Sequence, residues 1–272
     1  MDSGHRPAGE SAESRSEPAY SRRAQNSSDR KPADGDPHPF VIDAVDNEDS
    51  QCQRLAKILK ECRDQGVAIL VLPELRVTPT LEGVVRGWLG AQTNTDGLLL
   101  VVAGSWHVMD GGRYVNRSIA FDHRGHELWR NDKLAEYNVS PGNVAKNPSY
   151  WVDRGVGPSG AVEDIRAGRV LAVADTPLGR LTSAICAGFF QGRAADVMRQ
   201  SGANFFFVPA MTNKMDDLER LAADLVRYRA GSFIANCGHF GAKAPCYWQA
   251  GSGESGRARR RQRILIWTLG DT

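Results

Sequence analysis

Three residues of this chain have side chains that suit one piece of chemistry: a carboxylate at Glu74, an ammonium at Lys133 and a thiol at Cys186. Each stands just past a short run that reads as a buried strand. Glu74 closes Ala68-Ile69-Leu70-Val71-Leu72-Pro73-Glu74, and Cys186 closes Leu181-Thr182-Ser183-Ala184-Ile185-Cys186. Lys133 follows Trp129-Arg130-Asn131-Asp132. When cysteine attacks carbon the thiolate is the nucleophile, and a nearby cation and base make it available near neutral pH. Together the three groups meet the needs of a thiol attack on a C–N bond. Strand ends of α/β folds are also where ligands usually bind. On this reading Cys186 is a low-pKa, selectively alkylated thiol.

The elements that must position these residues follow from periodicity. Cys52, Leu55, Ile58, Leu59 and Cys62 recur at helical spacing, and Gly66 ends that helix. Strands are expected over residues 67–72, 98–102, 114–121, 127–130, 170–174, 181–185, 204–208 and 233–237. Asp110-Gly111-Gly112 is a turn signal, and Pro177-Leu178-Gly179 hinges two strands. Residues 194–200 read as a helix. Leu218, Leu221, Ala222, Leu225 and Tyr228 mark a further amphipathic one. Residues 138–160, rich in Gly and Pro, read as a long loop of the kind that often covers a site. Hairpins beside helical crossovers imply an α/β fold with mixed sheets covered by helices.

Composition bounds the rest. A chain of 272 residues with 41% hydrophobic content suits one sizeable domain with tails. Residues 1–38 hold almost no large apolar side chain, so they cannot offset their ordering entropy and are expected to be disordered. Residues 39–250 are read as the domain and 251–272 as a basic tail. In that tail Arg257, Arg259, Arg260, Arg261 and Arg263 read as solvated, with an edge strand at 264–269. A net charge of +2 makes no case for nucleic acid or a membrane surface as partner. There is neither an apolar run of about 18 residues nor a signal-peptide core, so cytoplasmic residence is expected. The five cysteines are odd in number, scattered and without CxxC spacing, which argues against a disulfide framework and a zinc site. Cys52, Cys62 and Cys237 read as core. No cofactor or metal is expected. Trp106, His107, Glu136, Tyr137 and Met211 are candidates for lining the substrate pocket.

These pieces resemble the nitrilase superfamily of carbon–nitrogen hydrolases. The resemblance covers roughly residues 50–241. Its motifs are Val71-Leu72-Pro73-Glu74, Val102-Ala103-Gly104-Ser105, Arg130-Asn131-Asp132-Lys133-Leu134, Asp175-Thr176-Pro177-Leu178-Gly179-Arg180 and Ala184-Ile185-Cys186. Gly202-Ala203, Val208-Pro209-Ala210, Arg229-Ala230 and Ala235-Asn236 follow in order. The resemblance implies a nitrilase-like αββα sandwich, often paired with a second copy as a homodimer or higher homo-oligomer. It also implies a metal-free site acting on small nitriles, amides or carbamoyl compounds. Cys186 would form a thioester, Glu74 would act as general base, and Lys133 with the Ala187 backbone N–H would stabilise the oxyanion. The family's second glutamate is matched to Glu163, by Glu163-Asp164-Ile165-Arg166-Ala167-Gly168, over its rival Glu136.

Two departures accompany the resemblance. The first strand is reduced to Phe40-Val41-Ile42. Gly188 stands where an acidic residue is usual, and Gly188→Asp is accordingly expected to raise activity. The alternatives are a weak or non-catalytic scaffold for dimer or partner binding, and a thioester N-acyltransferase.

Overall fold

The computed structural model describes residues 35–45, 47–92, 97–146, 148–149, 156–212 and 215–236, with the backbone of Cys246–Trp248 and Gly256–Arg257. Residues 1–34, Cys237, the arginines at 259–263 and the expected strand at 264–269 lie outside the described residues.

Two mixed sheets face each other. In the first, β2 (Ile69–Val71) runs parallel to β3 (Leu100–Val102). The long strand β5 (Arg113–Asp122) pairs antiparallel with β3 and β4 (Trp106–Asp110) along one edge. Along its other edge it pairs with β6 (Glu127–Asp132). Gly111 and Gly112 close the β4–β5 hairpin with φ of 59° and 78°, the positive pair that a tight hairpin turn requires. The second sheet is ordered β14-β13-β12-β11-β10-β9. Its parallel centre is β10 (Gly179–Ser183), β11 (Phe205–Ala210) and β12 (Gly231–Asn236). Antiparallel edges come from β9 (Ala174–Thr176) on one side and β13 (Cys246–Trp248) with β14 (Gly256–Arg257) on the other.

Side-chain alternation along the strands builds three packed layers. Val71, Leu100, Val102, Ala120 and Trp129 meet Leu181, Phe207, Phe233 and Ala235 between the sheets. Their chain neighbours point outward. Leu70, Val101 and Phe121 pack under helices α1 (Glu48–Asp64) and α2 (Pro79–Gly90). Phe206, Val208 and Ile234 pack under α4 (Ala187–Phe190), α5 (Arg193–Gln200) and α6 (Asp216–Leu225). Strands buried on both faces read as continuous apolar runs, as these do. The result is the expected αββα sandwich.

A third, small sheet of order β1-β8-β7 lies apart from the sandwich. It joins β1 (His38–Phe40), β8 (Ala161–Glu163) and β7 (Asn138–Val139). The first strand therefore begins at His38, earlier than its apolar residues indicate, and serves this sheet. Val41 and Ile42 are buried beyond its end.

Further expectations change, and one helix goes beyond them. Helix α2 was not signalled by an unbroken periodicity, because Gly83, Gly87 and Gly90 dilute it. It starts nonetheless at Thr78, whose hydroxyl accepts the Leu81 N–H, with Pro79 in the first turn. The strand expected at 170–174 is displaced to β9. Side chains hold that stretch instead of a ladder: Ala172 N–H donates to Asn131 Oδ1 at 2.6 Å, and Ala172 O accepts from Thr182 Oγ1 at 2.7 Å. Tyr228 falls in a 3₁₀ turn after α6 and is exposed, off the buried face. The long loop also carries β7 and a short helix, α3 (Pro141–Lys146).

Candidate active site

Each member of the site is delivered by an element that leaves its side chain little choice. Glu74 sits in the turn after β2, where Leu75 takes φ 54° and its N–H donates to Ser105 Oγ at 3.2 Å. Gly104 lets this turn approach, since a Cβ there would lie 2.3 Å from Pro73 O. Lys133 follows β6, its N–H on Asn116 O at 2.8 Å and its carbonyl accepting from Gly168 at 2.8 Å. Glu163 ends β8. Cys186 lies beyond β10, with its N–H on Pro209 O of β11 at 2.9 Å. Bonds inside the sandwich tie the Lys133 strand to the Cys186 strand. Trp129 Nε1 donates to Ser183 Oγ at 2.9 Å, and Asn131 Nδ2 donates to Ser183 O at 2.9 Å.

The four side chains converge. Lys133, only 2% exposed, donates to Glu74 Oε1 at 2.8 Å and to Glu163 Oε2 at 2.7 Å. Glu74 Oε2 accepts the Met211 N–H at 3.0 Å, a bond that crosses from one main sheet to the other. The Cys186 thiol lies near enough to Glu74 and Lys133 for both charges to act on it, with the Met211 N–H beside the sulfur. Cys186 itself has φ 40° and ψ −114°, a conformation that costs a non-glycine residue on the order of 1–3 kcal/mol. Ala187 opens α4, so its N–H is among the first-turn donors for which a helix has no internal acceptor.

Glu163 has four donors. Lys133 and the Tyr137 N–H (2.9 Å) bind Oε2, while His107 Nε2 (2.9 Å) and Asn116 Nδ2 (2.8 Å) bind Oε1. His107 Nδ1 accepts the Ile42 N–H at 2.7 Å, so the ring proton is on Nε2 and points at Glu163. Burial would raise the Glu163 carboxyl, but the Lys133 charge and the His107 hydrogen bond outweigh it and hold the group well below the usual carboxylate range. For Lys133, burial works downward, and the Glu163 and Glu74 carboxylates reverse it, lifting the ammonium above the usual lysine range.

Cys186 corrects an expectation. Burial above all, then the Glu74 charge, pushes its thiol far above the ordinary range, and Lys133 opposes this only in part. Cys186 is thus a buried thiol beside a carboxylate, its pKa raised and not lowered. Such a pair makes the nucleophile during attack, by passing the proton to the carboxylate.

The other candidates divide. Glu163, not Glu136, is the carboxylate on Lys133, and Glu136 is exposed. Tyr137 sits close, its ring centroid 5.9 Å from Lys133 Nζ. Met211 contributes its N–H. His107 is buried and bonded to Glu163, and Trp106 packs with Ile42 and Leu75 in a small apolar cluster. Gly188 is a correction with a plain cause. A Cβ there would lie 2.7 Å from Leu134 N and 3.2 Å from Lys133 Cγ. The glycine lets α4 press against the lysine segment, so Gly188→Asp has no room and no gain is expected from it. Asn116 went unnoticed. The signal was two polar residues, Asn116 and Ser118, alternating inside an apolar strand, a pattern that reads as a solvent face. Both are fully buried.

Residues 44–259 match the carbon–nitrogen hydrolase family. No curated protein matches the chain. Among solved structures, an amidase from Nesterenkonia sp. is 16% identical, with 74% of this chain and 76% of that one covered and a TM-score of 0.52. A variant of the amidase from Nesterenkonia sp. AN1, carrying the acetamide moiety of fluoroacetamide on its active-site cysteine, is 15% identical over the same shares, at a TM-score of 0.54. Nit3 of Saccharomyces cerevisiae, a member of branch 10 of the nitrilase superfamily, is 15% identical over 74% of each chain, at a TM-score of 0.48. At these identities the amidase likeness is one of fold.

Proposed function

The chain belongs to the carbon–nitrogen hydrolase family, within the nitrilase superfamily, and on that premise we propose that it hydrolyses a small amide-type substrate (an amide, carbamoyl compound or nitrile) through a thioester on Cys186. The observation that carries this reading is the grouping at one point of the Cys186 thiol, on which the Glu74 and Lys133 charges act, with Glu74 itself on Lys133 at 2.8 Å.

For an amide the steps balance as follows. Cys186 sulfur attacks the carbonyl carbon as its proton passes to Glu74. The oxyanion forms within reach of Lys133 Nζ and the Ala187 N–H, donors of a kind typically worth about 3–4 kcal/mol of barrier each. The C–N bond breaks as Glu74 returns the proton to the departing nitrogen, leaving the thioester. Water then attacks, giving its proton to Glu74. The C–S bond breaks, sulfur recovers that proton, and the carboxylic acid leaves. Glu74 can act in both directions because one lone pair of Oε2 is left for the moving proton. Glu163, with four donors, is a fixed anion that holds Lys133. On the same reading the protein is a cytosolic homodimer or larger homo-oligomer.

The test is intact-mass detection of an acyl adduct on purified protein over a panel of small amides and nitriles, with fluoroacetamide as a covalent probe. Acyl mass on Cys186 in the wild type and none in Cys186→Ala is the expected result. Adducts elsewhere, or turnover by Cys186→Ala, would overturn the reading.

A further inference from the structure

Asn116 touches three members of the site. Its Nδ2 donates to Glu74 Oε1 at 3.2 Å and to Glu163 Oε1 at 2.8 Å, using both amide hydrogens on carboxylates. Its carbonyl oxygen on the main chain accepts the Lys133 N–H at 2.8 Å. Its Oδ1, by contrast, is buried and accepts no hydrogen bond among the described residues. Buried polar atoms are nearly always paired, so a side chain that satisfies two neighbours and leaves its own oxygen unpaired is placed there for the neighbours. For packing alone, an apolar side chain of the same size would serve without leaving an unpaired atom.

We propose that Asn116 is a positioning residue that turns Glu74 so that Oε2 faces the Cys186 thiol, and that keeps the two carboxylates from sharing a proton. The inference rests on the roles of Cys186 and Glu74 given above. Two carboxylates face one ammonium here, and like charges in one site favour capture of a proton by one of the pair. Donors to the charged forms oppose that capture. Glu163 keeps three other donors if Asn116 is lost: Lys133, His107 and the Tyr137 N–H. Glu74 would keep Lys133 on Oε1 and the Met211 N–H on Oε2. Its Oε1 would then be fixed by one flexible side chain, and its lone pair on Oε2 would no longer be aimed. The charged and titratable groups around this point are Glu74, Glu163, Lys133, His107 and Cys186.

The test uses the full chain and iodoacetamide, whose iodide is displaced by the Cys186 sulfur as the thiol proton passes to Glu74. Labelling of the Cys186 and Cys52 peptides is followed by mass spectrometry from pH 5 to pH 10, alongside melting curves. Asn116→Asp keeps the shape but turns an acceptor towards two carboxylates. It is expected to slow Cys186 labelling at pH 7 by about tenfold or more and to move the rise of the labelling curve to higher pH. Asn116→Ser keeps one donor and falls between, and it decides the matter if the Asp variant does not fold. Cys52 labelling stays unchanged. Variants with lowered melting temperatures and wild-type labelling curves would overturn the inference and leave the Cys186 reading standing. A wild-type Cys186 that never labels would overturn both.

Discussion

The two sides of Lys133 are built to opposite rules. On the Glu163 side every acceptor is occupied, by Lys133, His107, Asn116 and the Tyr137 N–H, and the carboxylate is held well below its usual range. On the Cys186 side a thiol is pushed far above its range, the backbone at Cys186 is strained, and Glu74, with three donors, retains room for one more hydrogen bond. The first side is fully paired, as buried ions must be. The second carries unrelieved cost, and strain and unmet bonding capacity of this kind gather where chemistry occurs. One lysine joins them, so the fully paired side sets the position of the charge beside the Cys186 thiol.

The sharpest break of this comparison is Cys186→Ala. It should lower hydrolysis by about 10⁴-fold or more, since removal of a nucleophile forfeits the covalent route. Steady-state turnover measures it, and the melting temperature should move little. Next comes Lys133→Met, which strands two buried carboxylates. A loss of roughly 3–5 kcal/mol of stability is expected by denaturant unfolding. The pH dependence should also reverse. In the wild type the Glu163 pKa is depressed, so its contribution is present above the unfolded value of 4.5 and is lost as pH falls towards the folded one. Without the ammonium, burial raises that pKa, so the variant should lose stability as pH rises above 4.5.

Two smaller effects sharpen the contrast. Glu163→Gln should cost about 1–3 kcal/mol, because an amide group must face donors that formerly met an anion. Glu74→Gln should cost less stability yet abolish turnover, because it removes the base while only one side-chain donor besides Lys133 is misdirected. Equal effects of the two on both readouts would erase the distinction between a fixed and a working carboxylate. The smallest effect concerns the strained turn. Cys186→Gly should be more stable than Cys186→Ala by about 1 kcal/mol, the reverse of the usual order, because glycine adopts φ 40° without a Cβ penalty. Melting curves of the two inactive variants decide it.

Local chemistry in the sequence determined much of this protein. Continuous apolar runs defined the buried strands, glycine pairs defined the hairpin, and helical spacing defined α1 and α6, because these signals act within a few residues. The order of motifs around Glu74, Lys133 and Cys186 singled out residues that the fold brings together, and led to Glu163 over Glu136 as the second carboxylate on Lys133. The tertiary structure alone decided how that set is tuned. Asn116 and Ser118 alternate like a solvent face, yet both are fully buried. Gly188 resembled a missing carboxylate, yet it is the gap that admits Lys133 and Leu134, 50-odd residues earlier in the chain. The direction of the Cys186 pKa shift is not legible in residue types, because the types reveal a cation and a carboxylate but not their depth. Burial above all, with the Glu74 charge, reverses the sign that the lysine alone would set, and burial is a property of packing between segments far apart in the chain.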